Sequence, residues 1–352
     1  MNLLFTAGRE LSYPRNAMLY ELLQEQFQVK FIGRRSGRRN LLLQSAWNAF
    51  KCTPYLRSKE VLLSVVGFYG HLIMLWAGRA ARQPILFDAF ISTYDTLCFD
   101  RKVISPNSPA GRLAKWLDEQ ACRLADRVLV DTQAQADFFH DTLGVPREKL
   151  DVLYVGCDEK IFYPRSTTFD ENLVLFYGEF LPLHNIEVIL QAAQLVMSDG
   201  IHFQIIGPFG KHIKQKQLNQ AHLTNVEFIP PVPLEQLPSY ISRAAICLGG
   251  HFGASEKAGR VIAGKTFQCI AMGKPTIVGD NPANRELLVP GKDAWFCKMN
   301  DAQALSEAIK SLWQDKPLQS YLGKNAREAF LQKASKPILR RKLKAILQKI
   351  SI

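Results

Sequence analysis

The stretch ADRVLVDTQAQADFFHDTL, residues 125–143, reads as a short apolar strand, Val128 to Asp131, running straight into a longer amphipathic helix from Thr132 to Leu143. The strand does not alternate apolar with polar residues, which is the pattern of a strand covered on both faces of a sheet. Working outward, the same pair recurs. Strands are predicted at Asn2 to Thr6, Val29 to Gly33, Val61 to Val66, Pro84 to Asp88 and Asp151 to Val155, with helices at Arg15 to Phe27, Leu72 to Arg82 and Ala110 to Ala125. Runs such as LLFTA and ILFDAF again lack alternation. Parallel strands joined by crossover helices produce this rhythm.

At Asp158 to Asn172 the sequence turns polar and carries Pro164, and the rhythm then restarts with Leu173 to Tyr177. Further strands are expected at Phe203 to Ile206, Val226 to Ile229, Ala245 to Leu248, Thr276 to Val278 and Ala294 to Cys297, separated by helices. A chain of 352 residues exceeds what one hydrophobic core usually holds. The expectation is an α/β protein of two doubly wound domains, residues 1–165 and 166–333, with a terminal helix over 334–352. In such sheets ligands sit beyond the carboxyl ends of the strands, and two facing sheets would place those ends across a shared cleft.

Composition excludes disordered, collagen-like and coiled-coil classes: 47% of residues are hydrophobic and 22% charged. Lysine and arginine number 44 against 32 acids, a net charge of +12 that suits an anionic partner. Seven scattered cysteines without a CxxC pair argue for a reducing compartment and against a zinc ribbon. The longest apolar stretch, Val61 to Trp76, is interrupted by Gly67, Gly70 and His71 and falls short of the roughly 20 residues that span hydrocarbon. The N-terminus has no basic region ahead of its apolar run and reads as a strand.

The loop after Ala245–Leu248 is the richest in chemistry. It begins GGHFGASEKAGRVIAGKTFQC, residues 249–269. Its glycines permit close backbone approach, while Lys257, Arg260 and Lys265 bring cations just before a helix start, where the dipole also favours an anion. The segment reads either as a cradle for a diphosphate or as a solvated basic loop. In the first half, Gly8 follows the opening strand, where it serves a ligand approach or a simple turn. Asp88 and Asp95 flank AFISTYD, where a carboxylate orients an acceptor hydroxyl or caps a turn. His71 reads more readily as a core histidine. No GxSxG elbow or HExxH helix is present.

The ordered set FDAFISTYDT (87–96), ADRVLVDTQAQADFF (125–139), VGCDEKIFYP (155–164), FYGEFLPLHNIEVILQAA (176–193) and IAMGKPTIVGDNPANREL (270–287) resembles glycosyltransferase family 4, the GT-B nucleotide-sugar transferases that retain anomeric configuration. The resemblance implies an acceptor-binding first domain, a donor-binding second domain and a terminal helix crossing back to the first. It implies a hexosyltransferase-like reaction from a nucleotide diphosphate sugar to a glycan or lipid-linked glycan, with no cofactor and no metal. Its donor loop usually carries two glutamates with seven residues between them, and Arg260 and Gln268 stand at the matching positions. The usual arginine and lysine of the first donor-domain loop match Glu179 and His184. Donor contacts are therefore expected from Gly8, Lys257, Arg260, Lys265 and Gln268, with Asp88 and Asp95 on the catalytic side. Gln268 offers an amide to a ribose hydroxyl, or solvates a helix face. Glu286, in NREL, is expected to cap the next helix in preference to approaching the sugar.

Gln26 to Lys59 holds eight basic residues, Arg34, Arg35, Arg38 and Arg39 among them, and no acid. Beside them Leu41, Leu42, Leu43, Trp47 and Phe50 suit an interfacial helix on an anionic membrane surface, or a helix packed on its own domain with a solvated basic face. No nucleic-acid module accompanies the charge. The expected setting is polysaccharide or cell-envelope biosynthesis in the cytoplasm, extending to the inner face of the cell membrane. Two other classes remain: a catalytically impaired GT-B module that binds a nucleotide, glycan or partner enzyme, and a sugar-nucleotide epimerase.

Overall fold

The computed structural model describes residues 2–37, 40–208 and 223–350. They form two compact units, Met1–Val155 with Lys336–Ile352, and Gly156–Ser335.

The sheet of the first unit has the order β2-β1-β3-β4-β5-β6, every pair parallel. Its strands are β1 (Asn2–Ala7), β2 (Gln28–Ile32), β3 (Val61–Gly67), β4 (Ile85–Asp88), β5 (Arg127–Val130) and β6 (Leu150–Val152). The non-alternating runs are buried on both faces, as β4 shows over its whole length. Helices α1 (Pro14–Gln24), α2 (Leu41–Leu56), α3 (His71–Ala80), α4 (Pro109–Leu124) and α5 (Gln133–Leu143) supply the crossovers. Local chemistry fixes their ends. The Thr132 hydroxyl accepts from the Gln135 amide to start α5, and Gly144 ends it in the left-handed region at φ 66°.

The sheet of the second unit has the order β12-β11-β10-β7-β8-β9, also parallel throughout. Its strands are β7 (Asp170–Tyr177), β8 (His202–Ile206), β9 (Val226–Ile229), β10 (Ala244–Leu248), β11 (Thr276–Gly279) and β12 (Trp295–Cys297). Read from β7 this is the doubly wound order 3-2-1-4-5-6. The helices that matter below are α6 (Ile186–Leu195), α7 (Leu237–Arg243), α8 (Glu256–Arg260), α9 (Gly264–Ala271) and α10 (Pro282–Leu287); α11 (Ala302–Gln314) and α12 (Lys316–Lys333) complete the unit. The connection between β8 and β9, where a helix is expected, lies largely outside the described residues.

The units divide at Val155/Gly156, because the residues that follow pack with the second: the Cys157 thiol lies 3.8 Å from the Phe267 carbonyl. The last helix, α13 (Lys336–Gln348), returns to the first unit. It buries Leu339, Leu343, Ile346 and Leu347, and pairs Lys336 and Arg340 with Glu25 of α1 and Lys349 with Asp151. All seven cysteines are buried and free.

Candidate active site

In the second unit the strand order reverses between β7 and β10, so the loops that leave their carboxyl ends diverge and open a crevice. The loop after β7 runs from Gly178 to Asn185, and the loop after β10 leads through Gly249–Gly253 to α8 and α9. The Gly253 amide donates to the Leu183 carbonyl at 3.0 Å and ties the two loops together. Gly178, at φ 132°, holds a conformation that disfavours other residues, and its hydrogen faces Lys265: a Cβ there would come 3.3 Å from Cε and 3.4 Å from Nζ.

Lys265, in the first turn of α9, is buried. Its Nζ donates to His184 Nε2 at 3.1 Å and lies 4.4 Å from the centroid of the Phe176 ring. His184 donates from Nδ1 to the Glu179 carbonyl, which leaves Nε2 as the acceptor that Lys265 needs. His251 stacks on His184 with centroids 5.1 Å apart and planes 13° apart. Two buried polar atoms here, His251 Nδ1 and Thr266 Oγ1, have no partner among the described residues. No carboxylate pairs with the Lys265 amine among the described residues, and burial pushes it down to about 7. The amine also sits at the positive end of a helix, which disfavours its charge further. Burial, and then Lys265, hold His184 well below the ordinary imidazole range, so it is neutral. His251 is pushed the same way by burial, then by His184, Lys265 and Lys257.

The other donor-side candidates divide. Lys257 is buried in α8, while Arg260 ends that helix and pairs with Glu256 at 3.2 Å, one turn back. Gln268, half-buried in α9, accepts from the Tyr177 hydroxyl at 2.8 Å. Its carbonyl is therefore engaged, and the amide hydrogens are what it has to offer a ligand. Glu286 lies inside α10; the caps of α10 and α11 are Asn281 and Asp301, both better placed because each precedes its helix.

In the first unit the order reverses between β1 and β3. Gly8 sits there, its amide donating to the Phe68 carbonyl at 3.1 Å, and a Cβ would lie 2.1 Å from the Tyr69 oxygen. The glycine is thus required by the approach of the β3–α3 loop. Asp88, at the end of β4, is fully buried and gripped by Arg15 through Nη2 at 2.8 Å and Nε at 3.0 and 3.1 Å. Arg15 also donates to the Leu153 and Tyr154 carbonyls. Asp95 is buried in a single helical turn capped by Ser92, with a wider π-type turn following at Thr96–Asp100. Asp118 organises this loop: it accepts from the Ser92 hydroxyl and from the Thr93 and Tyr94 amides, and His71 Nε2 lies 3.4 Å away. Burial lowers His71, against the pull of Asp118.

Arg15, Asp118, Tyr177 and His251 were not among the residues singled out from sequence. Tyr177 closes a strand and His251 stands among glycines, which are the signals that mark them.

Two family models match, the group 1 glycosyl transferases over residues 159–329 and the glycosyl transferase 4-like domain over residues 42–156. The chain thus carries both glycosyl transferase domains, group 1 and 4-like, and has the GT-B fold. WcaL of Escherichia coli K12, named as a colanic acid biosynthesis glycosyltransferase, is 24% identical over 217 residues, covering 58% of this chain and 52% of its own. The D-inositol 3-phosphate glycosyltransferase of Mycolicibacterium smegmatis is 28% identical over 144 residues, covering 36% and 32%. The chain thus spans about half and a third of these curated relatives. Among solved structures, sucrose-phosphate synthase from Thermosynechococcus elongatus aligns with TM-score 0.76 at 15% identity over 99% of both chains. HepE of Anabaena, in complex with UDP-glucose, aligns with TM-score 0.74 at 15% identity over 99% of this chain and 100% of its own.

Proposed function

We propose that the protein is a retaining, hexosyltransferase-like enzyme that moves a sugar from a nucleotide diphosphate sugar to a hydroxyl of a glycan or lipid-linked glycan, in polysaccharide or cell-envelope biosynthesis. The observation that carries this reading is the Lys265 amine, buried between His184 and Phe176 at the reversal of the strand order, without a carboxylate partner among the described residues. A diphosphate supplies the counter-ion that this amine lacks. Lys257 and Arg260 add positive charge from the same loop. As the bond between the anomeric carbon and the diphosphate breaks, the charge developing on the leaving oxygen is met by these cations. The acceptor oxygen forms its bond on the same face, and its proton passes to the departing diphosphate. On this reading Gln268 meets the ribose through its amide hydrogens, Asp95 serves the acceptor side, and Asp88 acts indirectly by fixing Arg15. The reaction needs no metal or other cofactor, and we place the enzyme in the cytoplasm.

The test is to supply a panel of nucleotide sugars with glycan and lipid-linked acceptors and to determine the anomeric configuration of any product by NMR. A product with the donor's configuration is expected. An inverted product overturns the retaining mechanism, and tight nucleotide binding with no transfer to any acceptor overturns the enzymatic reading. That last outcome would favour the second reading, a binding module without turnover, which the basic Arg260 and neutral Gln268 at the usual acidic positions support.

A further inference from the structure

Helix α2 is amphipathic in an unusual sense: both of its faces are apolar, and only one is buried. Inward, Ala49, Cys52 and Leu56 join the core and Asn48 donates to the Ala7 carbonyl at 2.9 Å, so the helix is fixed to its own sheet. Outward, Leu43, Trp47 and Phe50 follow at spacings of four and three and therefore share one stripe, with Leu42 beside it. They are 72%, 55%, 71% and 65% exposed. The Trp76 indole of α3, 48% exposed, extends the stripe, because its Nε1 donates to the Thr53 hydroxyl one turn beyond Phe50. An apolar ridge of this kind marks an interaction surface.

Charge chooses the partner. From Gln26 to Phe87 the chain carries ten basic residues, Lys30, Arg34, Arg35, Arg38, Arg39, Lys51, Arg57, Lys59, Arg79 and Arg82, and one acid, Glu60. Lys51 Nζ lies 4.8 Å from the centroid of the Trp47 ring, so a cation is mounted on the ridge itself. Arg79 is three residues beyond Trp76 on the same helix. Arg34 and Arg35 are held by their carbonyls, which accept from Leu11 and Ser12 at 2.8 and 2.9 Å; Arg38 and Arg39 lie outside the described residues. A second copy of the chain would bring this positive stripe against itself across a two-fold axis, which disfavours self-association. Tryptophan, leucine and phenylalanine bordered by lysine and arginine match the boundary between headgroups and acyl chains.

We propose that the ridge of Leu43, Trp47, Phe50 and Trp76 docks the first unit on an anionic lipid bilayer, its aromatic rings entering the acyl boundary and the flanking cations meeting the phosphate headgroups. The inference does not rest on the glycosyltransferase reading, and its test uses no activity assay.

Purified full-length protein is sedimented with vesicles of phosphatidylcholine alone and of phosphatidylcholine mixed with phosphatidylglycerol, at low and physiological salt. Partitioning is expected to favour anionic vesicles by tenfold or more at low salt, on the order of what two or three interfacial cations provide. Trp47→Ser with Phe50→Ser should lower it by about tenfold with the melting temperature kept, since both side chains are exposed. Lys51→Glu with Arg79→Glu should lower it and remove most of the salt dependence. Brominated phosphatidylcholine in the anionic vesicles should quench tryptophan emission in the parent, and Trp47→Phe should lose part of that quenching while still binding. Equal binding to neutral and anionic vesicles, or undiminished binding by the Trp47/Phe50 variant, overturns the proposal. So does a concentration-dependent dimer that the Trp47/Phe50 variant abolishes while the parent ignores vesicles, because the ridge would then be a contact between copies.

Discussion

If Lys265 is the cation that meets the diphosphate, donor binding must draw a proton from solution. The free amine, pushed by burial to about 7 from its ordinary 10.5, is about three-quarters neutral at pH 7.5. Bound against a diphosphate, it is held charged well above that. Binding should then take up about 0.8 proton at pH 7.5 and about 0.1 at pH 6. The sign follows directly: the complex holds the extra proton, so affinity is greatest below pH 7 and falls as pH rises, by up to about tenfold per unit until the pKa of the complex is reached. Calorimetry of a nucleotide sugar, whose diphosphate diester does not titrate here, in buffers of different ionisation enthalpy measures the uptake directly. Of the groups around the amine, His184 and His251 are held neutral by burial and their cationic neighbours, and the Tyr177 hydroxyl is raised well above its usual value by burial. The buried Cys269 thiol, which Cys247, Tyr177 and Lys265 hold down against the effect of burial, pulls the amine up, so the measurement is repeated on Cys269→Ser to leave the uptake to Lys265 alone. The same burial works against the free chain. Holding the charged amine there costs at most about 5 kcal/mol below pH 7, a penalty that disappears as pH rises toward 10.5 because the unfolded chain then carries the extra proton. Lys265→Met should therefore raise the melting temperature at pH 6 while removing both donor affinity and proton uptake. Affinity independent of pH between 6 and 9, with no difference between buffers, would refute the argument.

Two further outcomes are expected. Gln268→Ala should weaken nucleotide-sugar binding more than Gln268→Glu does, since glutamate keeps an acceptor for the Tyr177 hydroxyl and alanine strands it; titrations of both variants check the ordering, and a neutral alanine would reduce Gln268 to a helix-face residue. Asp88→Asn should destabilise the first unit by about 3 to 5 kcal/mol in urea unfolding, because it leaves Arg15 buried without its counter-charge, and a variant of parental stability but reduced turnover would return Asp88 to the catalytic set.

The strands and most helices are legible because double-sided burial writes itself into the sequence as unbroken apolar runs, and caps such as Thr132 and Asn281 stand at the helix starts. Pairings across the fold are not. Arg15 and Asp88 are 73 residues apart and Lys265 and His184 are 81 apart, and only the strand order brings each pair together. Asp88 looks like an available acid when its loop is read alone, and its availability is removed by an arginine on a distant helix. Gly8 likewise invites a ligand until the Tyr69 carbonyl is found against it.

The departures from the usual donor-loop pattern acquire one physical meaning once Lys265 and His184 are seen together. His184 stands where that pattern has its lysine, and the Lys265 ammonium nitrogen lies 3.1 Å from its ring. A lysine amine thus still reaches this place in the crevice, delivered from α9 in place of the loop after β7, and it is a cation there only when protonated. The imidazole does not compete with it, being neutral and turned by the Glu179 carbonyl to accept. What differs is the surroundings. A glutamate at position 268, three residues along the same helix, would give Lys265 a nearby carboxylate and hold its amine charged in the free protein. With glutamine there, the amine loses that support and burial prevails, so its charge depends on the arriving donor. Gln268→Glu is therefore the substitution that should flatten the pH dependence of donor binding without removing the lysine, and it separates a cation waiting for its ligand from one merely buried beneath the site.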